Sequence, residues 1–346
     1  MSSHPVEEDI DSTVSDPDFR IVTTLKHTLF HARDVEWEEE PASSRALIRQ
    51  WREVNRKLLA LHARRLREAA DAFGWADVAV RFSSPAAAGE GGGNGDSDGD
   101  DTLVQPGVDG PINLELLVED AAARSQGDPS SSQGPGVGFL RDLRVRVLVS
   151  RDGEVTVQCT AMGADQPLST LARSLDMYTS CPFTRPIVSG PKEQQRQQSA
   201  AAVSPLCEVS VDAQHTHVSL FTRHKTTHRK PYDDARARAP ASPLLPTTPP
   251  TAREVLLSNS HAQITEASLS TVYFLRGGGR WLTPRSACGG MQSVTRLYAL
   301  AAGWCDEGAV LVHEVRDSEM VWLSNAVRGF FPGVVKLGGQ SARGSV

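Results

Sequence analysis

One lysine, Lys225, lies within the stretch Phe221-Thr-Arg-His-Lys-Thr-Thr-His-Arg-Lys-Pro-Tyr-Asp-Asp-Ala-Arg236, directly after an apolar segment and among other cationic side chains. A lysine that is removed from water, or placed close to other cations, has its ammonium form disfavoured, so its pKa falls. The neutral amine can then form an imine with an aldehyde. The stretch therefore makes Lys225 a candidate for a covalent bond to a carbonyl group.

Two simpler interpretations of this stretch remain open at this point. A basic run of this kind is often a solvated loop, and composition alone favours that interpretation. Contact with a nucleic acid is the other alternative, although no aromatic side chains interleave with the charges. The pattern of charges does not by itself decide among the three.

The composition is that of a globular protein in a reducing compartment. Of the 346 residues, 39% are hydrophobic and 23% are charged, and the formal net charge of −6 argues against a dedicated nucleic-acid binder. The five cysteines are scattered and form no C-x-x-C pair, so we expect neither a disulfide framework nor a zinc site. The N-terminus has no apolar leader region, and no stretch approaches the roughly 20 apolar residues of a membrane helix. We expect a cytoplasmic protein with no membrane and no nucleic-acid partner.

Hydrophobic periodicity predicts helices mixed with antiparallel hairpins. Apolar residues at spacings of three and four predict a helix from Ser43 to Gly74, with a break near Ala60 as an alternative. Strands are predicted over Leu143–Val149, Val155–Val157, Val218–Phe221, Thr271–Phe274 and Trp281–Leu282, and a further helix over Val294–Trp304. Because these elements do not form regular βαβ units, the pattern indicates the α+β class.

Three segments contain too few apolar side chains to offset the entropy that ordering would cost. They span residues 83–101, 124–138 and 191–204, and we expect them to be disordered surface insertions. Residues 1–18 are acidic and polar and are expected to form a disordered tail.

The stretch around Lys225 also carries a resemblance. Phe-Thr-x-x-Lys-Thr-Thr-x-Arg-x-x-Tyr-x-x-Ala-Arg, as it stands over residues 221–236, resembles the cofactor-lysine segment of eukaryotic-type 4-amino-4-deoxychorismate lyases. These lyases belong to the class IV aminotransferase family of pyridoxal-phosphate (PLP) enzymes. The resemblance implies that Lys225 is catalytic and holds PLP covalently. Arg229, four positions later, resembles the lyases, whereas branched-chain transaminases usually carry an Asn-Tyr pair about there.

The family resemblance also implies a fold. Class IV aminotransferases have a D-amino acid aminotransferase-like fold, in which a small α/β sandwich domain joins a larger, mixed β-barrel-like domain. On this basis we expect a tail over 1–18, a smaller N-terminal α/β domain over 19–205 and a larger PLP-binding domain over 206–346. A homodimer whose interface borders the site is a further possibility that the family suggests.

Two other segments resemble the family's phosphate-binding elements. His62-Ala-Arg-Arg65-Leu resembles His-x-x-Arg-Leu, whose arginine binds the cofactor phosphate through a planar cationic fork. The segments 281–284 and 289–296 resemble Thr-Pro…Gly-x-Thr-Arg, where a helix begins at the phosphate and offers free N–H groups. The resemblance assigns to the phosphate Ser293, Val294 and Thr295. Ser293 departs from the pattern, since the family commonly has glycine there.

Two strand segments complete the resemblance. Ile264-Thr-Glu266-Ala-Ser resembles Ile-x-Glu-x-Ser, whose glutamate pairs with the pyridine nitrogen of PLP and keeps it protonated. The segment 321–329 resembles a strand-to-loop element near the active site, which implies that Ser324 and Asn325 line the phosphate or substrate pocket. The resemblance assigns Arg229 and Arg328 to the substrate.

Three functions follow from this resemblance. The first is a lyase that converts 4-amino-4-deoxychorismate to 4-aminobenzoate and pyruvate for folate synthesis. The second is a class IV transaminase acting on branched-chain or D-amino acids, and the third is a degenerate member that binds without turnover. All three imply a small-molecule amino ligand or another partner. No metal site is expected, because the histidines at 215, 217, 224 and 228 have no cysteine or carboxylate partner at ligand spacing.

Overall fold

The computed structural model describes residues 10–31, 42–82, 110–125, 139–185 and 206–337. The N-terminal half contains an antiparallel sheet with the order β1-β2-β3, and β4 pairs with the start of β2. Its strands are β1 (Ile21–His31), β2 (Phe139–Val149), β3 (Val155–Ala161) and β4 (Gln166–Pro167). The helices of this half are α1 (Ile10–Val14), α2 (Ala42–Ala72), α3 (Ala76–Arg81), α4 (Leu114–Arg124) and α5 (Leu171–Thr179).

The C-terminal half is built on a mixed sheet of eight strands among the residues described. The strand order is β10-β9-β8-β11-β12-β5-β6-β7, with parallel pairs at β9/β10, β5/β12 and β5/β6. The strands are β5 (Cys207–Val211), β6 (Arg253–Ser258), β7 (Ile264–Ala267), β8 (Thr271–Arg276), β9 (Arg280–Pro284), β10 (Asp306–Gly308), β11 (Met320–Asn325) and β12 (Gly329–Val335). The helices are α6 (Leu220–Arg223), α7 (Lys230–Ala237) and α8 (Val294–Ala301).

Helix α2 contacts both halves of the molecule. It has 31 residues, which corresponds to a length of about 46 Å. Leu59 and Leu66 pack with Val145 and Val147 of the first sheet. Nearer its N-terminus, α2 packs against α5, α8 and the second sheet through a cluster that contains Trp51. The helix therefore fixes the position of its own central residues relative to both sheets.

Backbone hydrogen bonds join the lysine segment to the first sheet. The N–H of Val22 on β1 donates to the carbonyl oxygen of Lys225 at 2.8 Å, and the N–H of Thr227 donates to the carbonyl oxygen of Arg20 at 2.9 Å. Further along β1, the N–H of Lys26 donates to the carbonyl of Ala326 at 3.1 Å. Lys225 thus lies where the two sheets meet.

The predicted α+β class and most of the predicted elements are confirmed. The helix predicted from Ser43 to Gly74 is the unbroken α2, so the break near Ala60 does not occur. The hairpins formed by β2 with β3 and by β8 with β9 lie where alternation predicted them. The second predicted helix is also present as α8, and it ends at Ala301 instead of Trp304.

The strand predicted over Val218–Phe221 is wrong. Ser219 begins helix α6 there, and its hydroxyl accepts a hydrogen bond from the N–H of Phe221 at 3.2 Å. In return, the Thr222 hydroxyl oxygen accepts from the N–H of Ser219 at 3.1 Å. These two short polar side chains satisfy the free N–H groups of a helix start, which outweighs the strand preference of their apolar neighbours.

The predicted disordered segments fall mostly outside the described residues. At the edges of two of them the structure differs from the prediction, because Ile10–Val14 form a helix within the expected tail and α4 extends to Arg124. Residues 83–101 and 191–204 lie outside the described residues altogether. The predicted boundary between 205 and 206 has undescribed residues on one side, so the division into two domains stays a prediction. None of the described helices combines the length and the apolar character that a membrane crossing requires.

Phe221 anchors the lysine segment in the core. Its side chain is fully buried and its ring lies 5.9 Å from the ring of Phe19, 5.9 Å from that of Phe73 and 4.6 Å from that of His228. We expect Phe221→Ala to lower the free energy of unfolding by about 3–5 kcal/mol, because it leaves a cavity among these rings. Phe221→Leu, the matched control, should cost about 1 kcal/mol. Urea denaturation measures both values, and equal losses in the two variants would contradict this view of the packing.

Candidate active site

The end of α6 presents Lys225 to the junction of the sheets. His224 follows the last helical residue in an extended conformation, and its N–H donates to the carbonyl of Leu220 at 2.9 Å. Lys225 is then held by its backbone pairing with Val22 and by the buried ring of Phe221. Its side chain is partly buried, and its Nζ forms no hydrogen bond with the residues that the structure describes.

The surroundings of Lys225 favour its neutral form. Removal from water is the largest cause that lowers its pKa, from 10.5 to about 7, and the positive charges of Arg229, Arg65 and Arg146 lower it further. Among the groups that act on Lys225, the negative charge of Glu266 raises its pKa. A large fraction of Lys225 is therefore unprotonated near neutral pH, which is the state that reacts with an aldehyde. The simpler interpretation of the stretch as a solvated loop does not fit this burial.

Glu266 lies on β7 with only 8% of its surface exposed. Burial raises the pKa of its carboxyl to about 7, even though two hydrogen bonds favour the ionised form. The hydroxyl of Tyr232 donates to Oε1 at 2.8 Å, and the N–H of Met291 donates to the same oxygen at 2.9 Å. The two charges of Lys225 and Glu266 influence each other's ionisation, so they lie within the same site.

Arg65 projects from α2 toward the same junction. Its Nη2 donates to the hydroxyl oxygen of Thr23 on β1, and Nδ1 of His62 lies 2.6 Å from that oxygen. Arg65 is 7% exposed, and its Nε is buried with no hydrogen-bond partner among the described residues. Burial lowers the pKa of Arg65 to about 10, so the side chain stays cationic at neutral pH. An unpaired buried guanidinium N–H suits an anion such as a phosphate.

Hydroxyl groups form a connected chain beside the start of α8. Ser293 Oγ lies 2.6 Å from Thr271 Oγ1 and 3.3 Å from Thr295 Oγ1. Ser324 Oγ donates to Thr295 Oγ1 at 2.8 Å, and Tyr273 Oη lies 2.8 Å from Ser324 Oγ. Each hydroxyl can rotate to donate or accept, so the chain can adapt its donors to a bound anion.

The turn before α8 requires glycine. A Cβ atom on Gly290 would lie 2.5 Å from the backbone oxygen of Thr265, and Gly289 has a φ of +97°. The close approach brings the turn before α8 against β7, the strand of Glu266. Ser293 then caps the helix, because its hydroxyl oxygen accepts from the N–H of Arg296 at 3.2 Å. The departure from the family's glycine therefore supplies a helix cap and leaves the N–H groups of Val294 and Thr295 at the free helix end.

Arg229 is held by the loop between β7 and β8. Its Nη2 donates to the carbonyl of Ser268 at 3.3 Å, and its guanidinium lies 5.1 Å from the ring centre of Tyr232. The buried ion pair between Arg236 and Glu254 fixes this loop through Ser268. Arg236 Nη1 donates to Ser268 Oγ at 3.0 Å, and Ser268 Oγ donates to Glu254 at 2.8 Å. The position of Arg229 thus depends on groups in the core.

The last two predicted residues, Asn325 and Arg328, lie at the end of β11 and in the turn that follows it. The amide of Asn325 donates to Leu269 and to Ser270 at 3.4 Å each, which connects β11 to the loop that holds Arg229. Its Oδ1 accepts from the N–H of Arg328 at 2.8 Å. The side chain of Arg328 is exposed, so the structure brings Asn325 into the site and leaves Arg328 at its surface.

Sequence reasoning gave no role to two residues that the structure places here. Arg146, on β2, lies close enough to lower the pKa of Lys225, and no carboxylate among the described residues forms an ion pair with it. Tyr232 belongs to the quoted motif, but only the structure shows its hydrogen bond to Glu266. The sequence signal for Arg146 was the alternation of β2, which places Arg144 and Arg146 on the face opposite the apolar residues. Sequence alone did not show that it faces the lysine.

A cavity of about 130 Å³ borders the site on the side of Arg65. Its other lining residues include His224, next to Lys225, and Gly290 and Gln292, which precede the start of α8. Neither Lys225 nor Glu266 lines it, so it is not the space in which a substrate would meet the lysine. No group of metal-binding side chains occurs among the described residues.

The lowered pKa of Lys225 predicts a specific dependence of stability on pH. Between the folded pKa of about 7 and the ordinary 10.5, the unfolded chain binds a proton that the folded chain does not, so wild-type stability rises with pH in this window. Without PLP, we expect Lys225→Met to be more stable than wild type by about 1–3 kcal/mol at pH 6, a range that allows for partial exposure.

This difference should shrink as the pH rises from 7 toward 10 in denaturation experiments on the unloaded protein. Lys230→Met is the matched control, since Lys230 is exposed and pairs with Asp234. We expect no such pH-dependent gain for it. A Lys225→Met variant that is less stable than wild type at pH 6 would show that the lysine is not held in an unfavourable environment.

Comparison with known proteins shows which family and which relatives this chain resembles. The family model for amino-transferase class IV matches residues 135–334, which is more than half of the chain. The aminodeoxychorismate lyase of Saccharomyces cerevisiae is 27% identical over 234 residues. That match covers 64% of this chain and 60% of the yeast protein.

Two solved structures are similar in arrangement. The putative amino-acid aminotransferase from Mesorhizobium loti is 17% identical, with a TM-score of 0.47, and the match covers 92% of this chain and all of that one. The 4-amino-4-deoxychorismate lyase from Pseudomonas aeruginosa is 13% identical, with a TM-score of 0.42. That match covers 97% of this chain and 88% of the other. The family match over residues 135–334 and the observed α+β architecture confirm the predicted fold class. The chain belongs to the class IV aminotransferase family of PLP-dependent enzymes.

Proposed function

We propose that this chain is a PLP-dependent lyase that converts 4-amino-4-deoxychorismate to 4-aminobenzoate and pyruvate, a reaction of folate synthesis. Its similarity to the yeast aminodeoxychorismate lyase supports this reaction. The observation that carries the proposal is the group of cations around Lys225, in which Arg146 and Arg229 accompany a lysine whose pKa burial lowers to about 7. The substrate has two carboxylates, and two arginines near the reactive amine suit such a dianion.

The residues present fit PLP. An aldehyde needs an unprotonated amine, which Lys225 supplies, and a phosphate needs N–H donors, which the unpaired Nε of Arg65 and the start of α8 supply. A pyridine nitrogen needs a carboxylate, and Glu266 is buried in the same site. When bound, PLP supplies an electron sink for the bond broken at the substrate carbon that carries the amino group.

Within this proposal each protein group has a defined role. Lys225 would hold PLP through Nζ, and the same Nζ, when free, would accept the proton from the substrate carbon that carries the amino group. Glu266 would hold a proton at the pyridine nitrogen. Arg229 and Arg146 bind the carboxylates and orient the ring, while Arg65, Ser293, Thr295 and Ser324 bind the phosphate.

The products follow from what leaves the ring. After the proton is lost, the C–O bond to the enolpyruvyl group breaks and the ring becomes aromatic. The departing enolpyruvate takes up a proton and becomes pyruvate, so the atoms of the substrate are divided between the two products. A class IV transaminase would use the same lysine and glutamate but would release a keto acid. A cytoplasmic location and a small-molecule amino substrate belong to the lyase proposal, which requires no metal.

We expect the purified chain, supplied with PLP and 4-amino-4-deoxychorismate, to release 4-aminobenzoate and pyruvate in equal amounts. Fluorescence detects the first product and coupled reduction by lactate dehydrogenase detects the second. Incubation with branched-chain or D-amino acids and a keto acid is the comparison. Amino exchange there, without pyruvate release from 4-amino-4-deoxychorismate, would replace the lyase with the transaminase.

Arg146→Gln tests the role given to the cations. Loss of one charged partner of a substrate carboxylate should raise KM by about 10- to 100-fold, with a smaller effect on kcat. Arg141→Gln is the matched control, because Arg141 lies on the same strand but pairs with Asp165. In steady-state kinetics, the Arg141→Gln control should keep a KM near that of the wild type. An unchanged KM in Arg146→Gln would remove this arginine from substrate binding.

A further inference from the structure

The carboxylate of Glu266 is held by one of its two oxygens. Oε1 accepts from the hydroxyl of Tyr232 at 2.8 Å and from the N–H of Met291 at 2.9 Å. Among the residues that the structure describes, none donates a hydrogen bond to Oε2. The two donors therefore fix the plane of the carboxylate and leave the second oxygen available for another group.

Tyr232 reaches this oxygen from a buried and restrained position. Its ring is 2% exposed on α7, and the guanidinium of Arg229 lies over it. The hydroxyl also lies 3.1 Å from the carbonyl of Thr222, three residues before Lys225 in the chain. A hydroxyl has one proton, and the shorter bond to a charged acceptor is the stronger of the two. Tyr232 thus joins the lysine segment to Glu266.

Loss of the Tyr232 hydroxyl would remove one of the interactions that lower the pKa of Glu266. Burial raises the pKa of this carboxyl, and the bonds from Met291 and Tyr232 lower it, as do the charges of Lys225 and Arg229. A protonated Glu266 cannot accept a proton shared with a pyridine nitrogen. The ionisation of Glu266 near neutral pH therefore depends on a balance to which a single hydroxyl contributes.

We propose that Tyr232 is a positioning residue that keeps Glu266 ionised and directs its free oxygen toward the pyridine nitrogen of PLP. This inference rests on the proposed function, since it requires that PLP binds at Lys225. Tyr232 acts through Glu266 and does not itself touch the cofactor. Its effect is thus on the protonation of the ring and not on the attachment of the aldehyde.

The test uses PLP labelled with 15N at the ring nitrogen, because the chemical shift of that nitrogen distinguishes its protonated and neutral forms. In the wild-type holoenzyme at pH 8 we expect the protonated form. In Tyr232→Phe, which retains the ring and loses the hydroxyl, the signal should move toward the neutral form. PLP should bind about tenfold more weakly, as expected for the loss of one hydrogen bond to a charged group.

Tyr178→Phe is the matched control, since Tyr178 is also buried but packs in the cluster between α2, α5 and the second sheet. It should keep the wild-type 15N signal. A Tyr232→Phe holoenzyme with the wild-type signal and affinity would overturn this inference alone, and the lysine and the reaction would be unaffected. A wild-type protein that takes up no PLP would overturn the proposed function and this inference together.

Discussion

The removal of a lysine from water, among arginines, is the constraint around which the site is arranged. Burial and the charges of Arg229 and Arg65 make the ammonium form of Lys225 unfavourable, and the fold must supply the free energy to hold it there. That support comes from the buried ring of Phe221 and from the backbone pairing of Lys225 with β1. The lowered pKa of the amine is thus a consequence of packing that involves both sheets.

The negative charge near Lys225 is that of Glu266, and few contacts hold it in place. Glu266 opposes the arginines, yet it is itself buried and depends on Tyr232 and on the N–H of Met291. The turn at Gly290 that brings Met291 to the carboxylate also sets the start of α8, where Ser293 caps the helix. The position of the Glu266 carboxylate and the start of α8, where we propose that the phosphate binds, therefore depend on one short segment, and a change in that segment should alter both.

Local patterns predicted much of this structure, and long-range contacts account for what they missed. The helix α2 and the hairpins follow from periodicity, which depends on neighbouring residues only. The segment after Val218 was misjudged because two polar side chains cap a helix there. Lys225, Arg65 and Glu266 could be named because motifs mark them. The part played by Arg146 could not be foreseen, since it depends on which face of a strand meets a residue 79 positions away in the sequence.

The central claim is that Lys225 is the residue that holds PLP. The most direct measurement is the visible spectrum of the purified protein with PLP, before and after reduction with borohydride, followed by peptide mapping of the adduct. The account predicts an absorption band in the visible region that reduction abolishes, with the label on Lys225 and none in Lys225→Met. A wild-type protein that stays colourless, or an adduct on a different lysine, would contradict the assignment of the site.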